Sequence, residues 1–331
     1  MSTIRDVAKL AQVSVATVSR VLNGNGYVSH NTREKVAAAI KQLNYRPNDV
    51  ARSLFKGRSK MIALFVPDIM NPFFPELARA VEDMTTQQGF TFVLCNTDDN
   101  LNKEMAYLEA LKQKSVDGII IVSSTMTAEY MENFDIPAVA LDRIIHTNIS
   151  SVTVNNREGA KEATQYLKDI GCRRIAHVSG PEHVSNARQR LKGYLDIAQK
   201  SEWFNYEYIE QGEYNFEGAK KATQILLTKH PEIDGLFVAN DLMAVGAIKA
   251  AESLGLSVPD QLSIISFDGI KLGETTSPAL TTMAQPIYQI GARAAEMLIK
   301  QVEQNEAQTL VEEFSVKLIE RDSTRKKGEN Q

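Results

Sequence analysis

From Met61 onward the chain alternates short apolar runs with stretches of helical periodicity, and nothing else in it constrains the fold as tightly. The runs are MIALFV, FTFVLCN, GIIIVSS and PAVALD, followed by SVTVNN, RIAHVSG, EYIEQG, GLFVAN and LSIISFD. Helices are predicted between them, for example from about Phe74 to Gly89 and from about Val184 to Lys200. Strand–helix–strand alternation of this kind predicts an α/β fold with parallel sheets and crossover helices. The runs form two series of similar length and order, with SVTVNN opening the second, so two similar lobes are expected. A helix from Tyr288 to Val302 and the strand EEFSVKLI are expected to return to the first lobe. That lobe spans about 61–160 plus 290–322, the second about 161–289, and residues 323–331 read as a disordered tail.

Residues 1–46 have another texture. Thr3 is a good N-cap with Asp6 three residues on, and Ile4, Val7, Ala8 and Ala11 share one helical face. Gln12-Val13 makes a short turn, and Ser14 is a second N-cap candidate. Val15, Val18, Val21 and Leu22 form the next apolar face, leaving Ala16, Thr17, Ser19 and Arg20 mostly outward. A third helix, from about His30 to Asn44 and capped by Ser29, completes a small three-helix head. Gly24-Asn25-Gly26 follows a helix and not a strand, so it is no dinucleotide fingerprint. Small residues let a backbone approach a major groove, hydroxyls reach phosphates or base edges, and Arg pairs with guanine. On pattern alone, an ordinary helical hairpin packed on a larger domain fits as well.

Charge separates the two. Residues 1–60 hold 11 basic side chains and 3 acidic ones (Asp6, Glu34 and Asp49), a net +8, whereas the remaining 271 residues carry −12. A basic head on an acidic body is the electrostatic footprint of a polyanion-binding module. Residues 47–60, with DVARSLF and then Lys56-Gly57-Arg58-Ser59-Lys60, form either a tether or a hinge helix. In the second case Leu54 is an apolar wedge for the minor groove. No apolar run reaches membrane-spanning length and MSTIRDV has no signal character, so a soluble cytoplasmic protein is expected. Cys95 and Cys172 read as buried free thiols, and no zinc spacing exists.

In open parallel sheets ligands bind at the carboxyl ends of strands. Those positions carry Asp68 to Asn71, Asn96 to Asp98, Ser123, Asp142-Arg143, Asn240-Asp241 and Phe267-Asp268. Facing one another across two lobes, they would line a polar cleft in which Phe73, Phe74 or Phe267 can stack on a sugar.

These residues resemble the LacI/GalR family of bacterial transcription repressors over nearly the whole chain. TIRDVAKLAQVSVATVSRVLN matches its helix-turn-helix signature and YRPNDVARSL its hinge helix. VANDLMAVGA and ISFDG match an effector domain similar to periplasmic sugar-binding proteins. The resemblance implies a homodimer on double-stranded palindromic operator DNA. Val15, Ala16 and Arg20 fall at its base-reading positions, Leu54 at its wedge, with Thr3, Ser14, Thr17, Ser19 and Asn23 nearby. It further implies a small sugar effector held by Asn71, Phe73, Phe74, Asp142, Arg143, Arg190, Asn240, Asp268 and Gln285. NPFF combined with ALDR is similar to the ribose-binding members, although Ser123 stands where their pattern has Asn. Tyr214 is a further candidate aromatic. Another pentose, a hexose or a purine stays open, as does a phosphoprotein corepressor, which some relatives use and nothing here requires. An α/β enzyme is the competing class, but no P-loop, GxGxxG after a strand or GxSxG occurs, and no cofactor is expected.

Overall fold

A computed structural model describes residues 2–45, 58–123, 125–126, 130, 136–143, 149–304 and 309–326. It divides into two compact units, Met1–Ser59 and Lys60–Gln331. Most of the 47–60 segment, with Leu54, lies outside the described residues.

The first unit is three helices, α1 (Ile4–Ala11), α2 (Val15–Asn23) and α3 (His30–Gln42). Each start is fixed by a hydroxyl. Thr3 and Asp6 form a reciprocal capping box, Ser14 accepts from Thr17 N at 3.1 Å, and Ser29 accepts from Thr32 N at 3.3 Å. The hydrogen bonds from Thr3 hold the Asp6 carboxyl below its ordinary value. Gln12, in the left-handed region at φ 54°, ends α1 and turns the chain into α2. The core is small: Val7, Ala8, Ala11, Val18, Val36 and Ala39 are buried. Val15 departs from the spacing argument, for it is 41% exposed and not on the inner face.

The second unit holds two six-stranded sheets. The first is built from β1 (Met61–Val66), β2 (Thr91–Asn96), β3 (Gly118–Ile121), β4 (Ala138–Leu141), β5 (Ser150–Val154) and β11 (Val311–Phe314), in the order β11-β5-β4-β3-β1-β2. Helices α4 (Phe73–Gln87), α5 (Leu101–Gln113) and α11 (Ile287–Gln304) cover it. Strand β1 shows why it reads as an unbroken apolar run. Ile62, Leu64 and Val66 join the cluster that includes Leu77 of α4 and Leu298 of α11, while Ala63 and Phe65 join Leu108 and Leu111 of α5. Both faces of the strand are buried, so alternation with polar residues is lost.

The second sheet comprises β6 (Ile175–Ser179), β7 (Ile209–Gln211), β8 (Gly235–Val238), β9 (Ser263–Asp268), β10 (Thr281–Ala284) and β12 (Lys317–Ile319), in the order β12-β10-β9-β8-β6-β7. Around it lie α6 (Asn156–Asp169), α7 (Ser185–Ala198), α8 (Phe216–Lys229), α9 (Asp241–Ser253) and the short α10 (Leu272–Thr275). Every strand pairing in both sheets is parallel except β10 with β12.

The chain crosses between lobes three times: after β5, after β10, and between β11 and β12. Three expectations change as a result. SVTVNN is β5 of the first sheet and does not open the second, while the following α6 packs on the second. EEFSVKLI is two strands, because β11 pairs with β5 and β12 with β10, so residues 317–319 belong to the second lobe. Residues 323–325 do not form the expected tail. Ser323 is fully buried, its hydroxyl donating to Ile264 O at 2.6 Å and accepting from Thr281 N at 2.8 Å.

His177 on β6 is a core histidine. Its ring stacks against Tyr194 and Phe237, with Nδ1 2.9 Å from Phe237 O. Burial pushes its pKa down to about 4. A neutral buried imidazole contributes full stability above the unfolded value near 6.5 and loses it as pH falls toward 4, by about 2 kcal/mol at pH 5. Replacing His177 with Phe should therefore flatten the fall in stability between pH 7 and 5, read from urea unfolding at the two pH values. An unchanged pH dependence would remove His177 from the acid response.

Candidate functional site

On the head, α2 turns Val18 inward and leaves Ser14, Val15, Ala16, Arg20 and Asn23 exposed, with Thr17 and Ser19 half-buried. Several of these polar groups are locally engaged. The Ser14 and Thr17 hydroxyls are 2.8 Å apart, and Asn23 Nδ2 donates to Ser19 Oγ at 3.2 Å. Thr3 is exposed, but its hydroxyl donates to Asp6 at 2.7 Å, so its visible role is capping. Arg20 makes no ion pair among the described residues, and its guanidinium is the one charged group on this outer face of α2. An exposed methyl-bearing surface at Val15 and Ala16 beside a free guanidinium combines contact for a thymine methyl with donors for a guanine edge.

In the second unit the two lobes face each other across a cavity of about 400 Å³. Its walls are strand ends and the helix starts that follow them, as parallel sheets require. Asn71, Phe73 and Phe74 follow β1, Asp142 and Arg143 follow β4, Asn240 follows β8, Asp268 ends β9 and Gln285 follows β10. Asn186 and Arg190 enter from α7, and Tyr214 from the loop before α8. Phe73 and Phe74 meet edge to face, with ring centroids 5.2 Å apart.

Arg190 organises the floor. It is 2% exposed, with Nε donating to Asn156 Oδ1 at 2.8 Å and one terminal nitrogen donating to Ala239 O at 2.6 Å. That same nitrogen is 3.1 Å from Asp268 Oδ1, and the guanidinium lies 3.9 Å over the Phe267 ring. Burial works against its charge, but Asp268, Tyr214 and Asp142 hold it protonated. Asp268 also accepts from Gln285 Nε2 at 2.7 Å. Burial, with Asp241 and Asp142 adding to it, lifts the Asp268 carboxyl to about 7 even though Arg190 opposes the rise. Asp142 is likewise raised by burial, against Arg190 and Arg143. Both carboxylates sit on left-handed backbone, φ 62° at Asp142 and 110° at Asp268, a strained conformation for residues other than glycine. Asp142 Oδ2 accepts from Asn186 Nδ2 at 2.6 Å and the Tyr214 hydroxyl donates to Asn186 Oδ1 at 2.9 Å, so Asn186 ties the second lobe to the first.

Two sequence-predicted residues lie elsewhere. Ser123 does not line the cavity; its hydroxyl donates to the buried Glu104 carboxylate at 2.7 Å. Phe267 is fully buried beneath Arg190 and offers no face to a ligand. Asn186 was not anticipated, and the N-terminal turn of α7 carries no strand-end signal that would have marked it. Asn240 has a double part, lining the cavity while its Oδ1 caps α9 through Met243 N at 2.8 Å.

Three atoms in this wall have no partner among the described residues: Asp142 Oδ1, Arg143 Nε and Gln285 Oε1. Buried polar atoms are nearly always hydrogen-bonded, so an orphaned trio around one cavity marks where a ligand completes the network.

A helix-turn-helix head and a two-lobed cleft in one chain define a ligand-responsive DNA-binding regulator. Residues 3–48 match the model of the bacterial regulatory proteins of the lacI family, and residues 164–324 match a periplasmic binding protein-like domain. The ribose operon repressor of Halalkalibacterium halodurans is 50% identical over 100% of this chain and 99% of its own length. Among solved structures, the lac repressor dimer bound to operator and the anti-inducer ONPF aligns with a TM-score of 0.87 at 28% identity, covering 98% of this chain and 99% of that one. A LacI family regulator from Enterococcus faecium with bound ribose aligns at 0.72 with 30% identity, over 80% of this chain and 98% of its own. The chain belongs to the LacI family of bacterial transcriptional repressors.

Removing the free guanidinium of α2 tests the reading face. Arg20→Ala should weaken binding to a specific site by about 1–3 kcal/mol while the helix content of the head is unchanged. Fluorescence anisotropy with circular dichroism measures both, and unaltered specific affinity would take Arg20 out of base reading.

Proposed function

We propose that the chain represses a sugar-utilisation operon as a homodimer on a palindromic operator, and that ribose bound in the cleft releases it. The orphaned trio carries the sugar reading. Asp142 Oδ1 and Gln285 Oε1 are acceptors and Arg143 Nε is a donor, and a hydroxyl can give a proton to one and take one from another. Phe73 and Phe74 supply an apolar wall for the C–H face of a sugar ring. Ribose is favoured among polyols by the relative from H. halodurans and by the sugar bound in the E. faecium regulator. The dimeric lac repressor on its operator supports a two-fold arrangement, whose symmetry a palindrome would match. The relatives act as repressors, which favours regulation over catalysis, and such a protein works in the cytoplasm beside its DNA.

The mechanism follows from where the contacts lie. Asn71, Phe73, Phe74, Asp142 and Arg143 belong to the first lobe, Asn186, Arg190, Asn240 and Asp268 to the second. A sugar touching both favours the closed arrangement of the two and shifts the population toward it. We place the hinge in residues 47–60, with Leu54 as the minor-groove wedge that closure withdraws. No phosphoprotein corepressor is needed for this cycle.

Two substitutions should dissociate the functions. Arg190→Ala should weaken ribose binding by about 100-fold or more, since it leaves Asp268 buried without its cation, and should spare operator binding. Leu54→Ala should do the opposite. Calorimetry and anisotropy on both variants read the pattern, and a variant that loses both functions together while still folded would contradict it.

The raised Asp268 carboxyl gives a pH dependence. The ionised form is the acceptor that sugar hydroxyls need, so affinity is full above its value near 7 and falls below it. Ribose should bind about tenfold more weakly at pH 6 than at pH 8, with proton release on binding. A flat profile would exclude Asp268 as an ionised acceptor.

A further inference from the structure

The mouth of the cleft carries charge that a neutral sugar does not require. Asp68 and Asp98 on the first lobe and Glu213 on the second line the opening and are exposed. Each is held in place. Asp98 meets Lys103 at 2.7 Å and Asn96 Nδ2 at 2.6 Å, Asp68 accepts from Met70 N at 2.8 Å, and Glu213 accepts from Gln211 Nε2 at 2.7 Å.

Deeper in, Asp99, Asp142 and Asp268 add three carboxylates. The cations lining the same cavity are Arg143 and Arg190, and both already face acids, Asp99 at 3.5 Å and Asp268 at 3.1 Å. With Lys103 on Asp98 counted as a third cation, the acids still outnumber the cations even when Asp268 is protonated. At two of the helix starts around the cleft an amide oxygen already takes a backbone N–H, Asn71 Oδ1 from Phe73 and Asn240 Oδ1 from Met243. The orphaned atoms point the same way. Asp142, Arg143 and Gln285 are each more than nine-tenths buried, and two of the three unpartnered atoms are acceptors. An acceptor without a donor suits a hydroxyl and repels a phosphate oxygen.

Resting on the ribose reading above, we propose that Asp68, Asp98 and Glu213 form a charge filter that admits the free sugar and rejects its phosphorylated form. A phosphate monoester brings a charge of about −1.5 to −2 at neutral pH. Between low-dielectric walls that charge meets a focused negative potential, and both guanidiniums in the lining are already shared with carboxylates, Arg143 with Asp99 and Arg190 with Asp268. The chain then reports the substrate of a sugar-phosphorylating reaction and not its product. Such discrimination works by repulsion of the competitor, separately from the contacts that hold the sugar.

Calorimetry of the full chain at low salt with D-ribose and with D-ribose 5-phosphate tests this. The unmodified chain should bind the phosphate about 100-fold or more weakly than the sugar. In the Asp68→Asn, Asp98→Asn, Glu213→Gln variant, ribose affinity should stay within about threefold, while the gap to the phosphate narrows by about tenfold. Equal affinity for the two compounds in the unmodified chain would overturn the filter and leave the ribose reading standing, as would an unchanged gap in the variant. Failure of the unmodified chain to bind ribose would overturn the reading beneath it.

Discussion

The cleft depends on one buried cation. Arg190 is almost without solvent, and removing a guanidinium from water costs several kcal/mol unless hydrogen bonds and an opposite charge replace the lost hydration. Asn156, the Ala239 carbonyl, Asp268 and the Phe267 ring make up most of that replacement. In turn Arg190 restrains two buried carboxylates that burial would otherwise drive further toward the neutral form. Among the described residues the cleft is thus balanced but incomplete. Its remaining needs are small and directional, which suits a hydroxyl-rich molecule better than an apolar or an ionic one.

The same residues connect binding to the arrangement of the lobes. The Asn186 bridge from Asp142 to Tyr214 spans the cleft, and three chain crossings bound it. Beside the apolar cluster shared by both lobes, each has one of its own, around Phe65 and Leu108 in the first and Leu236 and Ile264 in the second, so each lobe can move as a packed body while the crossings absorb the change. On the proposed reading, ligand contacts drawn from both sides would convert occupancy into a preference for one arrangement. That preference is what a repressor needs if a sugar is to control its binding to DNA.

Much of this was legible in the residue order. The head announces itself through Thr3, Ser14 and Ser29 as caps and through the spacing of Val7, Ala11 and Val18. Parallel strands show as apolar runs because both faces of β1 are buried. What could not be read is direction. Ser123 stands at a strand end as expected, yet its hydroxyl serves Glu104, a buried acid in α5 that needs donors and whose burial follows only from the packing. Phe267 reads from the sequence as a stacking surface for a sugar, yet it stacks beneath Arg190. EEFSVKLI has no Gly or Pro at Ser315-Val316 to mark where it leaves one sheet for the other. The polar composition of Ser323-Thr324-Arg325 suggests disorder, but their hydroxyls and guanidinium satisfy groups at the base of the second sheet.

Coupling between cleft and operator is the central claim, and linkage makes it measurable in one quantity. Ribose affinity should be determined for the chain alone and for the chain saturated with operator DNA. The operator-bound form should bind ribose more weakly, by the same factor by which saturating ribose weakens operator binding. Equal ribose affinity in the two states would contradict release by cleft closure, and tighter binding on the operator would reverse its sign.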